Sequence, residues 1–239
     1  MKQLLLLLLA TTACAEDVPP TPVPQPGPSY AVCEDGQILK VPVGMQVPQS
    51  CEDLLRWAAC PPIDGLRDVN CDGKLTIVAF GDSITEGAGD EYQAGGYPTR
   101  LQGYFPNTEV INMGVGGETT DLGIIRAQSA LPAADYVIVL EGINDRWANP
   151  SVKRTCNNLY GILDIAASRG AVPLLGKVLR PGWYQRAKLI KWADSINARI
   201  KRQIDIPFSN IHISKDGLHP DARGYEAMAK QVAKVLRRQ

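Results

Sequence analysis

Histidine is scarce in this sequence, and several features that mark whole classes of protein are missing. Only His212 and His219 occur among 239 residues, so chemistry that needs an imidazole has two candidates. The 25 basic and 25 acidic residues give a net charge of zero, so the sequence lacks the excess of basic residues that is typical of nucleic-acid-binding proteins. No apolar run approaches the ~20 residues that a membrane-spanning helix needs, which excludes a multi-span membrane protein.

Common motifs for nucleotides, metals and hydrolases are also absent. The sequence contains no G-x-x-x-x-G-K-[ST], no G-x-G-x-x-G, no H-E-x-x-H, no C-x-x-C and no G-x-S-x-G. Residues 68–73 resemble the opening of a calcium loop, but Ala79 stands where the twelfth-position acid belongs. We therefore interpret 68–73 as a disulfide-pinned turn leading into a strand, and we expect neither a metal nor a cofactor.

The first fifteen residues predict export. A basic start with Lys2 is followed by six leucines, Leu4–Leu9, and then by small residues up to Ala15. This order is typical of a secretory signal peptide over residues 1–15. We expect a periplasmic or extracellular location.

Two cleavage sites fit this leader. Cleavage after Ala15 gives a secreted chain that starts at Glu16. Alternatively, Cys14 ends a bacterial lipobox, in which Thr11 stands where leucine is usual, and then carries a lipid that tethers the chain to a membrane. The Pro-rich linker at 16–30 suits a spacer between an anchor and a domain, which slightly favours the lipoprotein.

A Cys-rich segment occupies residues 31–73, before the main domain at 74–239. Its one strand-like run is Gln37–Val43. An exported chain normally oxidises its thiols, so we expect two disulfides, with three connectivities open, among Cys33, Cys51, Cys60 and Cys71. Cys156 falls on a helical stretch of the main domain, where we expect a small buried residue.

From residue 74 onward, strand-like and helix-like runs alternate. The helical stretches begin near Tyr97 and Thr120 or span 151–169, 184–204 and 221–238. The strand-like runs are Leu75–Phe80, Glu109–Met113, Asp135–Leu140, Val172–Val178 and the weaker Ile211–Ile213. This alternation predicts an α/β three-layer sandwich around a five-stranded parallel sheet. Ligands bind such sheets outside the carboxyl ends of the strands.

Four short blocks follow the strands at that edge. They are Gly81-Asp-Ser-Ile-Thr85, Gly114-Val-Gly-Gly-Glu-Thr119, Gly142-Ile-Asn-Asp145 and Asp216-Gly-Leu-His-Pro220. Each block alone is also an ordinary turn or helix cap. Together and in this order they resemble the SGNH (GDSL) hydrolase family over roughly residues 75–239. The resemblance implies a flavodoxin-like sheet and ester hydrolysis.

The residue types themselves indicate nucleophilic catalysis. A serine hydroxyl needs an adjacent base, and His219 lies beyond the last predicted strand whereas His212 lies inside it. Asp216, three residues before His219, can hold the far nitrogen of the imidazole. We predict Ser83 as nucleophile, His219 as general base and then acid, and Asp216 as the orienting carboxylate.

The tetrahedral intermediate also needs donors for its oxyanion. The side-chain amide of Asn144 and the backbone N–H of Ser83 are two candidates. The family resemblance selects Gly117, rather than Gly114 or Gly116, as the third, because Gly117 precedes an acidic residue and a threonine.

Aromatic residues near the same edge give the only clues to the substrate. Trp147, Trp183 and Tyr184 follow the third and fourth strands, where substrate contact and packing are both consistent with the sequence. The Gly-rich acidic loop 86–96 either shapes the acyl pocket or is a solvated loop.

We therefore expect an exported serine hydrolase acting on short-chain or acetyl esters of small molecules or glycans, with no nucleic-acid partner. A lysophospholipase, thioesterase-like enzyme or acyltransferase with the same site is the alternative. A surface carbohydrate-binding or adhesion lipoprotein is the non-enzymatic alternative. The oligomeric state stays open.

Overall fold

The computed structural model describes residues 29–32, 38–41, 59–148, 150–182, 187–201 and 204–239. Within the first two ranges, strands β1 (Ser29–Val32) and β2 (Ile38–Val41) pair antiparallel. The predicted run Gln37–Val43 contains β2. The signal peptide, nearly all of the Pro-rich linker, most of the Cys-rich segment, Trp183 and Tyr184 lie outside the described residues.

A five-stranded parallel sheet forms the centre of the main domain, as predicted. Its spatial order is β4-β3-β5-β6-β7, with the strands spanning Thr76–Gly81 (β3), Glu109–Gly114 (β4), Tyr136–Leu140 (β5), Val172–Gly176 (β6) and Ile204–Ile206 (β7). Every residue of β5 is buried. Apolar side chains on both faces of such a strand require cover on both sides of the sheet.

Helices supply that cover. Their bounds are Ser83–Glu86 (α1), Gly96–Gln102 (α2), Thr120–Ala130 (α3), Asp145–Ala148 (α4), Val152–Ser168 (α5), Ala187–Arg199 (α6) and Ala222–Leu236 (α7). Helices α3, α5 and α6 pack in one group, and α2 packs against α7, which confirms the three-layer sandwich. Cys156 on α5 is buried, as predicted. Across the described ranges, no helix has the length and apolarity to cross a membrane.

The predicted fifth strand was wrong. Residues 211–213 contribute only one bridge, between Ile213 and Pro220, and the strand is Ile204–Ile206. The helical pattern predicted for 184–204 ended on the first residue of this strand, because Ile204 continues the four-residue spacing of Ile196 and Ile200. Within the strand, Asp205 accepts a hydrogen bond from the backbone N–H of Leu175 at 2.7 Å, which ties β7 to β6.

The end of the Cys-rich segment forms the predicted disulfide-pinned turn. Cys60 and Cys71 are bonded, one of the pairs that the sequence allowed. The Asp68 side chain accepts hydrogen bonds from the backbone of Cys71 at 2.7 Å and of Gly73 at 2.8 Å. Asp135, just before β5, accepts hydrogen bonds from the backbone N–H of Val69 at 2.7 Å and of Thr76 at 2.8 Å, and so joins this turn to the sheet.

Candidate active site

Ser83 stands at the carboxyl end of strand β3, where α1 begins. Asp82 caps the helix: its Oδ1 accepts a hydrogen bond from the Ile84 N–H at 2.9 Å. The turn is tight, since a Cβ added to Gly81 would lie 2.3 Å from the carbonyl oxygen of Leu140 on β5. Glycine at 81 therefore lets the chain turn sharply and present the Ser83 hydroxyl at the sheet edge.

The structure brings the three predicted catalytic side chains together. The Oγ of Ser83 lies 2.9 Å from Nε2 of His219, and Nδ1 of His219 lies 2.6 Å from Oδ2 of Asp216. With its Nδ1 proton donated to Asp216, His219 presents an unprotonated Nε2 to the serine hydroxyl. This tautomer is the one that accepts a proton from Ser83.

Asp216 is built to remain ionised. Its Oδ1 accepts hydrogen bonds from the backbone N–H groups of Leu218 at 2.8 Å and His219 at 2.9 Å. Partial burial alone would raise the pKa of Asp216, but hydrogen bonds from these two residues and from Ser214 lower it to about 2. A carboxylate held in this way stabilises the imidazolium that forms when His219 takes a proton.

The loop 86–96 packs against His219. A Cβ added to Gly89 would lie 2.7 Å from the His219 Cβ, and the φ of Gly89 is +82°. The loop is anchored, since the hydroxyl of Tyr225 donates to the Ala88 carbonyl at 2.5 Å and Arg100 pairs with Asp90 at 2.6 Å. The loop 86–96 therefore restricts movement of the His219 side chain.

The predicted oxyanion residues lie on the loops after β4 and β5. Gly117 has a φ of +76°, a left-handed conformation that favours glycine. The Asn144 amide nitrogen donates to the carbonyl of Glu118 at 2.9 Å, which joins the Asn144 loop to the Gly117 loop. A primary amide has two N–H donors, so one remains available to a substrate oxygen.

Asp145 fixes the start of α4 directly after Asn144. Its carboxylate accepts hydrogen bonds from the Thr120 N–H at 2.8 Å and from the hydroxyls of Thr120 and Thr155, both at 2.5 Å. Nearby, the predicted substrate-contacting Trp147 is 57% exposed. The other two predicted aromatic contacts, Trp183 and Tyr184, lie outside the described residues.

A buried cluster of carboxyl groups lies beneath these loops, and the sequence analysis missed it. Asp82, Glu118 and Glu141 are each at most 6% exposed. Arg126 faces them: its guanidinium pairs with both carboxylate oxygens of Glu118 and lies 3.9 Å from the centre of the Phe80 ring. Asp82 and Glu118 lie inside blocks that carry a predicted site residue, and Glu141 directly precedes such a block, which is the signal that could have revealed the cluster.

The cluster holds more carboxyl groups than Arg126 can neutralise. Both oxygens of Glu141 lack a hydrogen-bond donor. Burial, followed by the negative charges of Asp82 and Glu118, raises the pKa of Glu141 well above its ordinary value. Burial also raises the pKa of Asp82 to about 7, against the lowering effect of the Ile84 N–H. The surroundings of Glu141 therefore favour its neutral form more than water would.

Within the described ranges, no group of three or more His, Cys, Asp or Glu side chains has a geometry that could hold a metal ion. The described part of the site contains hydrogen-bonding groups and acid–base groups. The arrangement can activate a hydroxyl, stabilise an oxyanion and return a proton.

Comparison with known proteins agrees with this geometry. A family model described as "GDSL-like Lipase/Acylhydrolase family" matches residues 79–227. The chain is similar to thioesterase 1/protease 1/lysophospholipase L1 of Escherichia coli (strain K12), with 25% identity over 174 residues that cover 67% of this chain and 83% of the relative.

Solved structures share the fold. A lipolytic protein of the G-D-S-L family from Veillonella parvula DSM 2008 gives a TM-score of 0.60 at 21% identity, covering 69% of this chain and all of the other. Esterase EstA from Pseudoalteromonas sp. gives 0.52 at 20% identity, covering 68% and 97%. Since the family model spans more than half of the sequence, the resemblance is confirmed, and the chain belongs to the GDSL-like lipase/acylhydrolase family.

Proposed function

We propose that this protein hydrolyses carboxylic esters through an acyl-enzyme formed on Ser83. The observation that carries this proposal is the hydrogen-bonded chain from Ser83 through His219 to Asp216, with distances of 2.9 and 2.6 Å. Asn144, with one N–H free of the Glu118 carbonyl, and the N–H groups of Gly117 and Ser83 supply the oxyanion donors.

Acylation begins when Ser83 Oγ attacks the carbonyl carbon of the ester and His219 Nε2 takes the hydroxyl proton. The new C–O bond places negative charge on the former carbonyl oxygen, which the oxyanion donors stabilise. When the intermediate collapses, the ester C–O bond breaks and His219 returns its proton to the leaving alcohol. Asp216 remains ionised throughout and stabilises the imidazolium.

Deacylation repeats these steps with water. His219 removes a proton from the water as its oxygen attacks the acyl carbon. The second tetrahedral intermediate then releases a carboxylic acid and restores the Ser83 hydroxyl. The same oxyanion donors serve both halves of the reaction.

Short-chain or acetyl esters of carbohydrates are the substrates that the surroundings favour. α4 ends at Ala148 and α5 begins at Val152, so little chain is available between them for a lid over the site. Trp147, 57% exposed and three residues beyond Asn144, offers an aromatic face on which a sugar ring can stack.

A thioesterase, lysophospholipase or acyltransferase reaction at the same site is the second candidate. It is favoured by the name of the E. coli relative, thioesterase 1/protease 1/lysophospholipase L1. Dependence of the rate on acyl length separates short-ester hydrolysis from activity on long-chain lipids. The ratio of transfer to hydrolysis, measured with added alcohols, identifies a transferase.

The direct test is hydrolysis of p-nitrophenyl esters of increasing acyl length, and of acetylated glycans, by wild type and Ser83→Ala. We expect activity on short esters in the wild type only. Equal rates in both proteins, or no turnover at any acyl length, would contradict the proposal. Glycan binding that survives Ser83→Ala without turnover would instead support the carbohydrate-binding alternative.

Export, through either cleavage site, is part of the same proposal, because a signal-like leader precedes a disulfide-containing segment. Mass spectrometry of the mature N-terminus distinguishes the two forms. Lipid on Cys14 identifies a lipoprotein, and an unmodified start at Glu16 identifies a secreted enzyme.

A further inference from the structure

Positive charge in the main domain is concentrated in one stretch. Residues 74–239 contain 21 basic and 16 acidic residues, and eight of these basic residues but only one of the acidic residues fall within 177–203. Without that stretch the domain would be slightly acidic. The stretch follows β6 and includes α6, which buries Leu189, Trp192 and Ile196 and leaves its other face outward.

A cleft of about 230 Å³ lies where this charge meets α4. It is lined by Arg146 from α4 and by Lys188, Lys191, Trp192 and Ser195 from α6. Arg146 is partly exposed, and both lysines are exposed. Among the residues that the structure describes, none of these three cations pairs with a carboxylate, whereas Arg100, Arg126 and Arg180 elsewhere all do.

Neighbouring groups concentrate the charge in this cleft. A wider cleft of about 530 Å³ on the adjoining face of α6 shares Lys191 and Ser195 with it. That wider cleft also contains Arg180 and Asp194, which pair at 3.3 Å. Since Asp194 is the one acid of the stretch, the cations beside α4 are left without a neutralising partner there.

The cleft, which we call the cationic cleft, adjoins the oxyanion side of the candidate active site. Arg146 follows Asn144 by two residues, in the helix whose first residue is Asp145. From the other side, the indole N–H of Trp192 donates to the Gly142 carbonyl at 3.0 Å, and Trp192 is only 7% exposed. The backbone around Asn144 is thus hydrogen-bonded to Trp192 and continues into Arg146, and both of these residues line the cleft.

We infer that the cationic cleft binds an anionic group, a phosphate or a carboxylate, carried by the ester that Ser83 attacks. This inference rests on the proposed function and narrows its substrate class to esters with a negative charge near the scissile bond. The Arg146 guanidinium presents a planar fork that matches either anion, and the lysines add point charges at the rim. Their field also raises the local concentration of anionic substrates.

Matched pairs of substrates test the inference from both sides of the ester. On the acyl side, p-nitrophenyl pentanoate is compared with the p-nitrophenyl monoester of glutarate. On the alcohol side, glycerol monoacetate is compared with the acetyl ester of glycerol phosphate. We expect kcat/KM for one anionic member to exceed that for its neutral partner by about 3- to 10-fold, an advantage that falls in about 0.5 M NaCl. The pair that shows it identifies which anion, and which side of the ester, the cleft serves.

Charge variants show whether the cleft is the cause. Arg146→Gln, and the double variant Lys188→Gln/Lys191→Gln, should lose the preference for the anionic ester and retain hydrolysis of the neutral one. The matched control is Lys230→Gln, which removes an exposed lysine from α7 and should keep the preference. An unchanged preference in the cleft variants would overturn the inference.

The outcomes separate this inference from the proposed function. Hydrolysis of neutral esters without an anion preference contradicts the cleft alone, whereas no hydrolysis of any ester contradicts the function. In the latter case, NMR titration of Ser83→Ala with glycerol phosphate and with glutarate still tests the cleft, since saturable binding must weaken in Arg146→Gln. A third outcome is that neither the anion preference nor the saturable binding is found, but phosphatidylglycerol vesicles bind in a way that depends on the same cations. That outcome would overturn the inference in favour of a membrane surface.

Discussion

The two sides of Ser83 are positioned by different physical means. On the base side, His219 and Asp216 lie near the surface, and the structure keeps Asp216 ionised by directing hydrogen-bond donors at it. On the oxyanion side, Gly117 and Asn144 rest above buried carboxyl groups that have few donors, so Glu141 there is favoured in its neutral form. Carboxyl groups thus support both sides, with the ionised form of Asp216 favoured on one and the neutral form of Glu141 favoured on the other, because their surroundings differ.

Removing the charge of Asp216 should have the largest effect of the variants that test this contrast. Asp216→Asn keeps the shape but no longer fixes the tautomer of His219 or stabilises its imidazolium. We expect kcat to fall by about 10²- to 10⁴-fold. Folding stability should also fall, because the charge that the lowered pKa reflects is lost, but the protein should remain folded. Asp164→Asn, an exposed change on α5, is the matched control and should leave kcat unaltered. A change of less than a few fold in Asp216→Asn would show that the base side works without its carboxylate.

The pH profile of the wild type extends this test. Because the pKa of Asp216 is lowered to about 2, this carboxylate stays ionised until the pH falls well below 4. Loss of kcat/KM above that pH therefore does not report protonation of Asp216. The contribution of Asp216 to folding stability should likewise persist down to about pH 4 and disappear as the pH falls towards 2.

Removal of the Asn144 amide should have the next largest effect. Asn144→Ala deletes one oxyanion donor and the hydrogen bond to the Glu118 carbonyl. We expect kcat to fall by about 10²- to 10³-fold while KM changes little, since the donor acts mainly in the transition state. Steady-state kinetics on a short ester checks the split. A rise in KM with unchanged kcat would place Asn144 in ground-state binding instead.

A smaller effect should come from a substitution in the loop 86–96 that places an extra atom against His219. Gly89→Ala introduces a Cβ at 2.7 Å from the His219 Cβ, at a φ of +82°. We expect kcat to fall by about 10- to 100-fold through displacement of the imidazole. The control is Gly73→Ala, which has the same φ but no atom within 4 Å of the added Cβ.

Both glycine variants should lose about 1 kcal/mol of folding stability from the unfavourable backbone conformation. Urea unfolding measures that shared loss, and kinetics measures the difference between them. Equal activity in Gly89→Ala and Gly73→Ala would show that the loop does not position the histidine.

The smallest effect on turnover should come from substitution of the buried acid Glu141, which should instead change the free energy of unfolding. Glu141→Gln imitates the neutral carboxyl group, so we expect kcat within a few fold of wild type. In the wild type, raised pKa values mean that the folded state binds more protons than the unfolded chain. Its stability should therefore fall as pH rises above about 4.5, by up to about 1.4 kcal/mol per pH unit for each such group.

Glu141→Gln should flatten this decline, while Glu109→Gln, an exposed change at the start of β4, should not. Urea unfolding at several pH values between 5 and 8 provides the measurement. Parallel curves for wild type and Glu141→Gln would show that folding does not raise the pKa of Glu141.

Three of the four blocks of the site could be predicted because the sequence places them at the ends of β3, β4 and β5, which meet at one edge of a parallel sheet. The block with His219 was expected after a strand at 211–213 that does not form, yet it lies beside Ser83 although 136 residues separate the two side chains. Block order and residue type then identified Asp216 as well. The short strand Ile204–Ile206 escaped prediction because three residues carry too little pattern, and its first residue, Ile204, continued the spacing of α6.

The buried acid cluster escaped for a different reason. Acids in loops ordinarily indicate solvated turns, and burial of Asp82, Glu118 and Glu141 depends on the packing of three separate loops over one another. Glu118 pairs with Arg126, eight residues further along on α3, but Asp82 and Glu141 come to this cluster from loops distant in sequence. The cationic cleft also required the fold, because it needs α4 beside α6.

Trapping of the acyl-enzyme tests the central claim most directly. Wild type is mixed with a short p-nitrophenyl ester, quenched in acid during turnover, digested and analysed by mass spectrometry. We predict one acyl group on the peptide that contains Ser83, and no such adduct in Ser83→Ala. Sustained hydrolysis with no acyl group on Ser83, or with the acyl group on another residue, would contradict the account.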